Sequence, residues 1–258
     1  MLLLLVLFDA MTGKTPYRTM RGALAMMAWL ALMLVTAPVS AQSLTLRVIV
    51  LHGSPGHTGV HLTHGNEQYY WDPGGNYGQE LDECLQTLTE KYCRQWYAGF
   101  PWDEIKAARR HDVLSGRSAG LMQVLAVEVL DYEGPVDVFT FRLTDQAAQR
   151  AWQIIQDGAA RGGSAAFTTS YPPMLCTRAV SAYLREVGGP FGDLRSYWRP
   201  DALARALRQR ADGSGETYTL RSPQIQSHIN AARRAAGHGP LPLELALTGP
   251  DGGESASP

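Results

Sequence analysis

Apolar side chains along this chain switch several times between alternation with polar ones and recurrence every three to four residues. Residues 43–52, SLTLRVIVLH, are dense in β-branched and aliphatic side chains and predict a strand. The stretch His57-Thr58-Gly59-Val60-His61-Leu62 alternates, EQYYWD follows over 67–72, and His64-Gly65-Asn66-Glu67 between them has turn composition. Residues 57–72 therefore predict a β-hairpin. MQVLAVEVL (122–130) and VDVFTFRL (136–143) read as two further strands, parted by Asp131-Tyr132-Glu133-Gly134-Pro135. Helical periodicity governs residues 79–96 and 102–111, and again from Thr144 or Asp145 as a cap, with Ala148, Trp152 and Ile155 on one face. Pro172-Pro173 precedes a helix over 174–187, which Gly188-Gly189-Pro190 stops. Pro200 opens a helix over 200–210, residues 215–221 (GETYTLR) add a strand, and 222–239 form a weakly amphipathic helix. From Pro240 to Pro258 the chain is rich in Pro, Gly and Ser and predicts a flexible tail. Strands and helices mix without regular βαβ alternation, so the expected class is α+β.

The N-terminal segment has a different logic. Lys14, Arg18 and Arg21 precede the apolar run 22–37, and Val39-Ser40-Ala41 follows with small residues, the pattern of a secretory signal peptide. Residues 1–41 are thus expected to be an address, with the mature chain starting near Gln42 and a folding unit over 42–239. An uncleaved anchor is the alternative, although about 16 apolar residues fall short of the roughly 20 that span a bilayer. Met11 and Met20 are alternative starts that would give a conventional basic region. The expected location is periplasmic or secreted.

Composition narrows the class further. The 258 residues are 45% hydrophobic and 18% charged, enough for a buried core and unlike a disordered chain. Lys and Arg number 23 against 24 Asp and Glu, so bulk electrostatics do not draw the chain to nucleic acid. Removing residues 1–41 leaves a net charge of −3. Export permits disulfides, and Cys84 and Cys93 lie nine apart, close enough to bridge and leave Cys176 unpaired. The alternative is three buried thiols.

Cys176 falls in the first turn of its predicted helix, on the stripe of Ala179, Val180, Tyr183, Leu184 and Val187. Free N–H groups and the helix dipole there lower a thiol pKa and offer donors to an oxyanion. A plain core thiol is the bland alternative. A cysteine nucleophile requires an imidazole base and a group to orient it. Strand alternation places His57, Gly59 and His61 on one face of the hairpin. With Gly65-Asn66 as a two-residue turn, His64 pairs with Glu67, His61 with Tyr70 and Gly59 with Asp72. Asp72 can then reach an imidazole across the space left by Gly59. His57 and His61 are both candidate bases, and Asp72 and Gln68 both candidate orienting groups. The rival is zinc on His57, His61 and His64, whose HxxxHxxH spacing suits a helix, whereas alternation in a strand puts His64 on the other face. His52, His111, His228 and His238 show no partner pattern, and Tyr69-Tyr70-Trp71 read as core and cross-strand contacts.

The order of these parts carries a resemblance: H-T-G-V-H-L opening a hairpin, a strand VFTFRLT, a helix AAQRAWQIIQ, and a Pro-preceded MLCTRAVSAYL helix. Over roughly residues 45–210 the chain resembles the circularly permuted papain-like superfamily, the NlpC-like and YiiX-type cysteine hydrolases. The resemblance implies an antiparallel sheet packed against helices, with the nucleophile, Cys176, at a helix N-terminus. It implies His57 as base and Asp72 as the group that orients it. It also implies thiol hydrolase or acyltransferase chemistry on an amide or ester of a cell-wall peptide or of a lipid or lipoprotein acyl group, with no cofactor. A silent papain-like domain that binds an envelope partner, and the zinc hydrolase, are the alternatives.

Overall fold

A computed structural model describes residues 43–52, 56–74, 77, 98–109, 113–132, 134–143, 145–160, 176–210 and 215–241. All belong to the second of the two units into which the chain divides, Met1–Ala41 and Gln42–Pro258. The expected signal peptide, the helix over 79–96, the Cys84–Cys93 bridge and the Pro172-Pro173 loop lie outside the described residues. Among the described residues no helix is long and apolar enough to cross a membrane.

The centre of the fold is strand β1 (Leu44–Leu51), whose side chains are apolar on both faces toward its C-terminal end. It pairs antiparallel with β2 (His57–His64) on one side and β5 (Val136–Leu143) on the other. Strand β3 (Glu67–Trp71) returns from β2 through the two-residue Gly65-Asn66 turn, where Gly65 has the positive φ such a turn requires. The short strands β4 (Val113–Ser115) and β6 (Glu216–Tyr218) close the edges of a six-stranded antiparallel sheet ordered β4-β3-β2-β1-β5-β6. The chain is therefore α+β. β4 has no counterpart in the sequence expectations, because three residues are too short to show a period.

Helices cover both faces. On one face lie α3 (Asp145–Ala160), α4 (Cys176–Val187) and α5 (Pro200–Arg208), packed on Leu46, Val48, Val60, Leu62, Phe139 and Phe141. On the other lie α1 (Trp102–Arg109), α2 (Leu121–Tyr132) and α6 (Pro223–Ala235), with Ile49, Leu51, Tyr70 and Val138 beneath them. Helix α2 corrects the strand expected over 122–130. Its Val124, Leu125, Ala126, Val127 and Val129 are all buried, because it is covered by the sheet and by α6. A helix buried on every side has a continuous apolar run, which periodicity cannot distinguish from a strand. Of the segment expected as a tail, Pro240 and Leu241 are described and 242–258 lie outside the described residues; the Leu241 N–H donates to Asn230 Oδ1 at 2.9 Å, and just before it Arg233 Nε donates to the Gly239 carbonyl at 2.8 Å.

Helix α5 is fastened to the sheet by His52, the hydrogen-bonded histidine at the end of β1. Its Nε2 lies 2.8 Å from Asp137 Oδ2 of β5 and its Nδ1 2.8 Å from Asp201 Oδ1 of α5. Asp137 also accepts hydrogen bonds from Arg208 at 2.8 Å and Thr217 at 2.6 Å. Burial alone would lower the His52 pKa, but its hydrogen bonds to Asp201 and Asp137 outweigh that and raise it. A pKa raised on folding stabilises the fold below the unfolded value, and the gain is lost as pH rises through the folded one. The Tm advantage of the native chain over His52→Gln is therefore expected to be largest below pH ~6.5 and to narrow at alkaline pH, as measured by thermal melts across pH.

Candidate active site

The hairpin register is the one its turn dictates: His64 opposite Glu67, His61 opposite Tyr70 and Val60 opposite Trp71. Alternation turns His57, Gly59 and His61 toward α2 and leaves Thr58, Val60 and Leu62 beneath α4. Helix α4 is docked there by a buried contact, Thr58 Oγ1 to Thr177 Oγ1 at 3.0 Å, and by Tyr183 against Trp71, with ring centroids 5.5 Å apart. Because His57 is the first residue of β2 and Cys176 the first of α4, helix and histidine meet at the end of the strand although they belong to opposite faces.

The thiol of Cys176 is half-buried and hydrogen-bonds the His57 side chain; the Thr58 backbone supplies a second hydrogen bond, and Thr177 Oγ1 lies 3.9 Å from the sulfur. On the other side of the ring, His57 Nε2 is 2.6 Å from Asp72 Oδ1. With Nε2 engaged by Asp72, Nδ1 is the nitrogen that faces the thiol. Asp72 follows the last residue of β3 and is itself held by the main chain: Gly74 N–H donates to Oδ1 at 2.9 Å and Tyr77 N–H to Oδ2 at 2.7 Å. Cys176, His57 and Asp72 thus form one continuous hydrogen-bonded row.

Electrostatics reinforce that row. Burial by itself would disfavour charge on all three groups. For Asp72, the charge and hydrogen bond of His57 and the two backbone donors outweigh burial and hold the carboxyl below its ordinary range. For His57, Asp72 and Cys176 outweigh burial and raise the imidazole well above its ordinary value. For Cys176, burial is overcome chiefly by His57, with help from the Thr58 backbone and Thr177, and the thiol is lowered. The directions together favour a thiolate beside an imidazolium.

The other candidates take different places. His61 is fully buried, its Nε2 donates to the Ala119 carbonyl at 2.7 Å, and burial pushes its pKa down to about 4, so it stands as a neutral structural imidazole. Gln68 also bonds His61 and lies 3.4 Å from the Leu121 N–H; it does not orient His57. His64 is turned to the opposite face, against Trp152 with ring centroids 5.0 Å apart. The three histidines of the zinc reading do not converge, and among the described residues no three His, Cys, Asp or Glu side chains are grouped to hold a metal.

Two residues that were not anticipated complete the site. The space over Gly59 is filled by the Tyr70 ring rather than left open for Asp72: a Cβ on Gly59 would lie 2.3 Å from the Tyr70 hydroxyl oxygen and 2.6 Å from a ring carbon. Lying there, Tyr70 donates its hydroxyl to Glu128 Oε1 at 2.5 Å. Glu128 is fully buried in α2, and burial raises it to about 7; His57 and the Tyr70 hydrogen bond oppose the rise and Asp72 adds to it. The only sequence signal for Glu128 is one acid inside the apolar run 122–130. The Tyr70 role depends on a cross-strand glycine that admits the ring, which no local pattern displays.

Two outcomes follow from this geometry. Gly59→Ala drives a methyl group into the Tyr70 ring and is expected to destabilise the fold by about 1–3 kcal/mol or more, read by denaturant melts. Alkylation of Cys176 by iodoacetamide is expected to persist below the ordinary thiol range of about 8.5, and the midpoint of its pH–rate curve to move upward in His57→Ala; an unmoved midpoint would contradict the pairing.

No family model, curated protein or solved structure matches this chain, so the chemistry assigned to the site rests on the row of Cys176, His57 and Asp72 itself.

Proposed function

We propose that the chain is an exported cysteine hydrolase or acyltransferase with a circularly permuted papain-like fold, in which the histidine strand precedes the cysteine helix. The observation that carries this reading is the row Cys176–His57–Asp72, with the thiol lowered and the imidazole raised. A core thiol would have its pKa raised by burial and would not require an imidazole backed by a buried carboxylate. The location of the mature chain outside the cytoplasm rests on the composition of residues 1–41.

In the reaction, the Cys176 thiolate attacks the carbonyl carbon of an amide or ester, and the carbonyl π pair moves to oxygen. N–H groups of the first turn of α4, which have no intrahelical acceptor, stabilise that oxyanion. As the tetrahedral species collapses, the C–N or C–O bond breaks and the proton on His57 Nδ1 passes to the leaving nitrogen or oxygen. A thioester on Cys176 remains. Neutral His57 then takes a proton from water, or from an amine or alcohol acceptor, whose oxygen or nitrogen attacks the thioester. Collapse expels the thiolate, and the imidazolium facing it is restored. Asp72 stays ionised throughout and fixes the ring through Nε2. The substrate is a cell-wall peptide or a lipid or lipoprotein acyl group.

The reading is tested with p-nitrophenyl acetate, then with muropeptides and diacyl phospholipids. Native protein is expected to show an acyl adduct on Cys176 by mass spectrometry. Cys176→Ala abolishes turnover, and His57→Ala and Asp72→Asn are expected to lower kcat by about 10²–10⁴-fold. Full activity in both Cys176→Ala and His57→Ala would overturn the reading.

A further inference from the structure

Glu128 is a buried acid that the proposed reaction does not use. It stands in the middle of α2 among Val124, Leu125, Val127 and Val129 and is fully buried. An apolar residue would complete that layer, whereas a buried carboxyl costs the fold unless its hydrogen bonds are met. Those of Glu128 are met in part: Tyr70 donates to Oε1 at 2.5 Å, and Oε2 has no hydrogen-bond partner among the described residues. Asp72, by contrast, is held by His57, the Gly74 N–H and the Tyr77 N–H. Three partners, one of them cationic, keep Asp72 charged, while a single neutral donor leaves the charge of Glu128 open to pH.

The path from Glu128 to the thiol row is short. Tyr70 lies over Gly59, the next residue after His57 on that face of β2 and so about 6–7 Å from it along the strand. The Tyr70 ring also packs edge-on against Tyr77, with centroids 5.3 Å apart, and the Tyr77 N–H holds Asp72. Glu128 therefore shares the α2 side of the sheet with His57 and Asp72, whereas Cys176 is carried by α4 on the other side.

Few charges face it. His57 and Asp72 act on Glu128 with opposite sign. Asp131, three residues on in α2, and Glu128 both act on the Tyr77 hydroxyl, which burial keeps neutral. His61 is the neutral imidazole bound to the Ala119 carbonyl. Helix α6 packs on α2 through Ile225 and Ile229, while its His228 stacks on Phe100 and its Arg233 bonds the Gly239 carbonyl. Strand β5 turns Val136 and Val138 to this side and commits Asp137 to His52 and Arg208. Arg117 of the 3-10 turn Gly116–Ala119 is exposed and reaches the Gly99 carbonyl. The cation that acts on Glu128 is the His57 imidazolium.

We propose that Glu128 is a positioning residue for His57: its carboxylate, once ionised, holds the imidazole in its charged form and extends upward the pH range in which the Cys176 thiolate is paired. The inference deepens the cysteine-hydrolase reading of the row and rests on it. Its sign follows from the two sides of the sheet, since an anion on the imidazole side attracts the imidazolium more than it repels the thiolate. Burial raises Glu128 to about 7. Below that pH the neutral carboxyl and a glutamine are electrically alike; above it only the glutamate supplies the charge.

Histidine ring-nitrogen NMR on the full chain tests this across pH, with the His57 signals assigned by their loss in His57→Ala. In Glu128→Gln, whose Oε1 can still accept from Tyr70, the His57 midpoint is expected to fall by about one unit, a tenfold change in the ratio of imidazolium to imidazole. Tm and the rate of Cys176 alkylation by iodoacetamide below pH ~6 are expected to match the native chain. Tyr70→Phe is the second variant: it keeps the ring over Gly59 but removes the donor, so the carboxyl holds its proton to higher pH and His57 is expected to shift in the same direction. Superimposable His57 titrations in native and Glu128→Gln protein, or in native and Tyr70→Phe protein should Glu128→Gln not fold, would overturn the inference. A His57 shift that comes with a lowered Tm and altered alkylation below pH ~6 would mark a purely structural role and overturn it as well. The thiol reading is tested separately, by whether the Cys176 alkylation midpoint moves in His57→Ala, so its failure is distinguishable from failure of the Glu128 coupling.

Discussion

Everything at the candidate site depends on one buried pair, His57 with Asp72. An ion pair taken out of water is stabilised only if its remaining hydrogen-bonding capacity is met, because desolvation otherwise exceeds the attraction. Here the Asp72 carboxylate accepts from His57, from the Gly74 N–H and from the Tyr77 N–H. The main chain just after β3 is folded around the carboxylate, which fixes the acceptor in place before any ligand arrives. The imidazole is then held by one nitrogen and presents the other to Cys176. Removing Asp72 would leave two N–H donors and a buried imidazole without their acceptor, so its role in the fold and its role at the site cannot be separated by deletion alone.

Beneath that pair, the sheet and the second helical layer are coupled through Gly59, Tyr70 and Glu128. A side chain at position 59 would displace the Tyr70 ring, and Tyr70 supplies a hydrogen bond to Glu128 in α2. Glu128 interacts electrostatically with both members of the His57–Asp72 pair, and burial has raised it to about 7. The protonation of a group in the middle of α2 is thereby linked to the charge of the row at the end of β2. On the other face, Thr58 and Thr177 fix where α4 begins relative to the same strand. The site lies between two helical layers that reach it from opposite faces of one strand.

Much of this was legible from local pattern. The Gly65-Asn66 turn specifies the register of β2 and β3, since a two-residue turn leaves one pairing, and alternation then assigns His57 and His61 to one face and His64 to the other. The helices of the first layer show a 3.6-residue period because each has one face on the sheet and the other in water. The helix after residue 120 escaped because it is covered on both sides, which erases the period. β4 escaped because it is short. Within the site, His57, Asp72 and Cys176 were each singled out by residue type and position, but the choice between His57 and His61 was not visible. Both histidines are buried on the same face of one strand and differ only in what packs against them: a carboxylate and a thiol for one, the Ala119 carbonyl for the other.

The sequence by itself determined the class of the fold, the hairpin register, the face of each histidine and the position of Cys176 at a helix start, because these follow from turn chemistry and from periods of 2 and 3.6 residues. Only the tertiary structure decided which histidine meets the thiol, which face of the sheet α4 covers, what fills the space over Gly59 and that Glu128 lies near the His57–Asp72 pair. Those are contacts between segments 50 to 120 residues apart, and the energies that select them, burial of charge and complementary packing, exist only once distant surfaces are brought together.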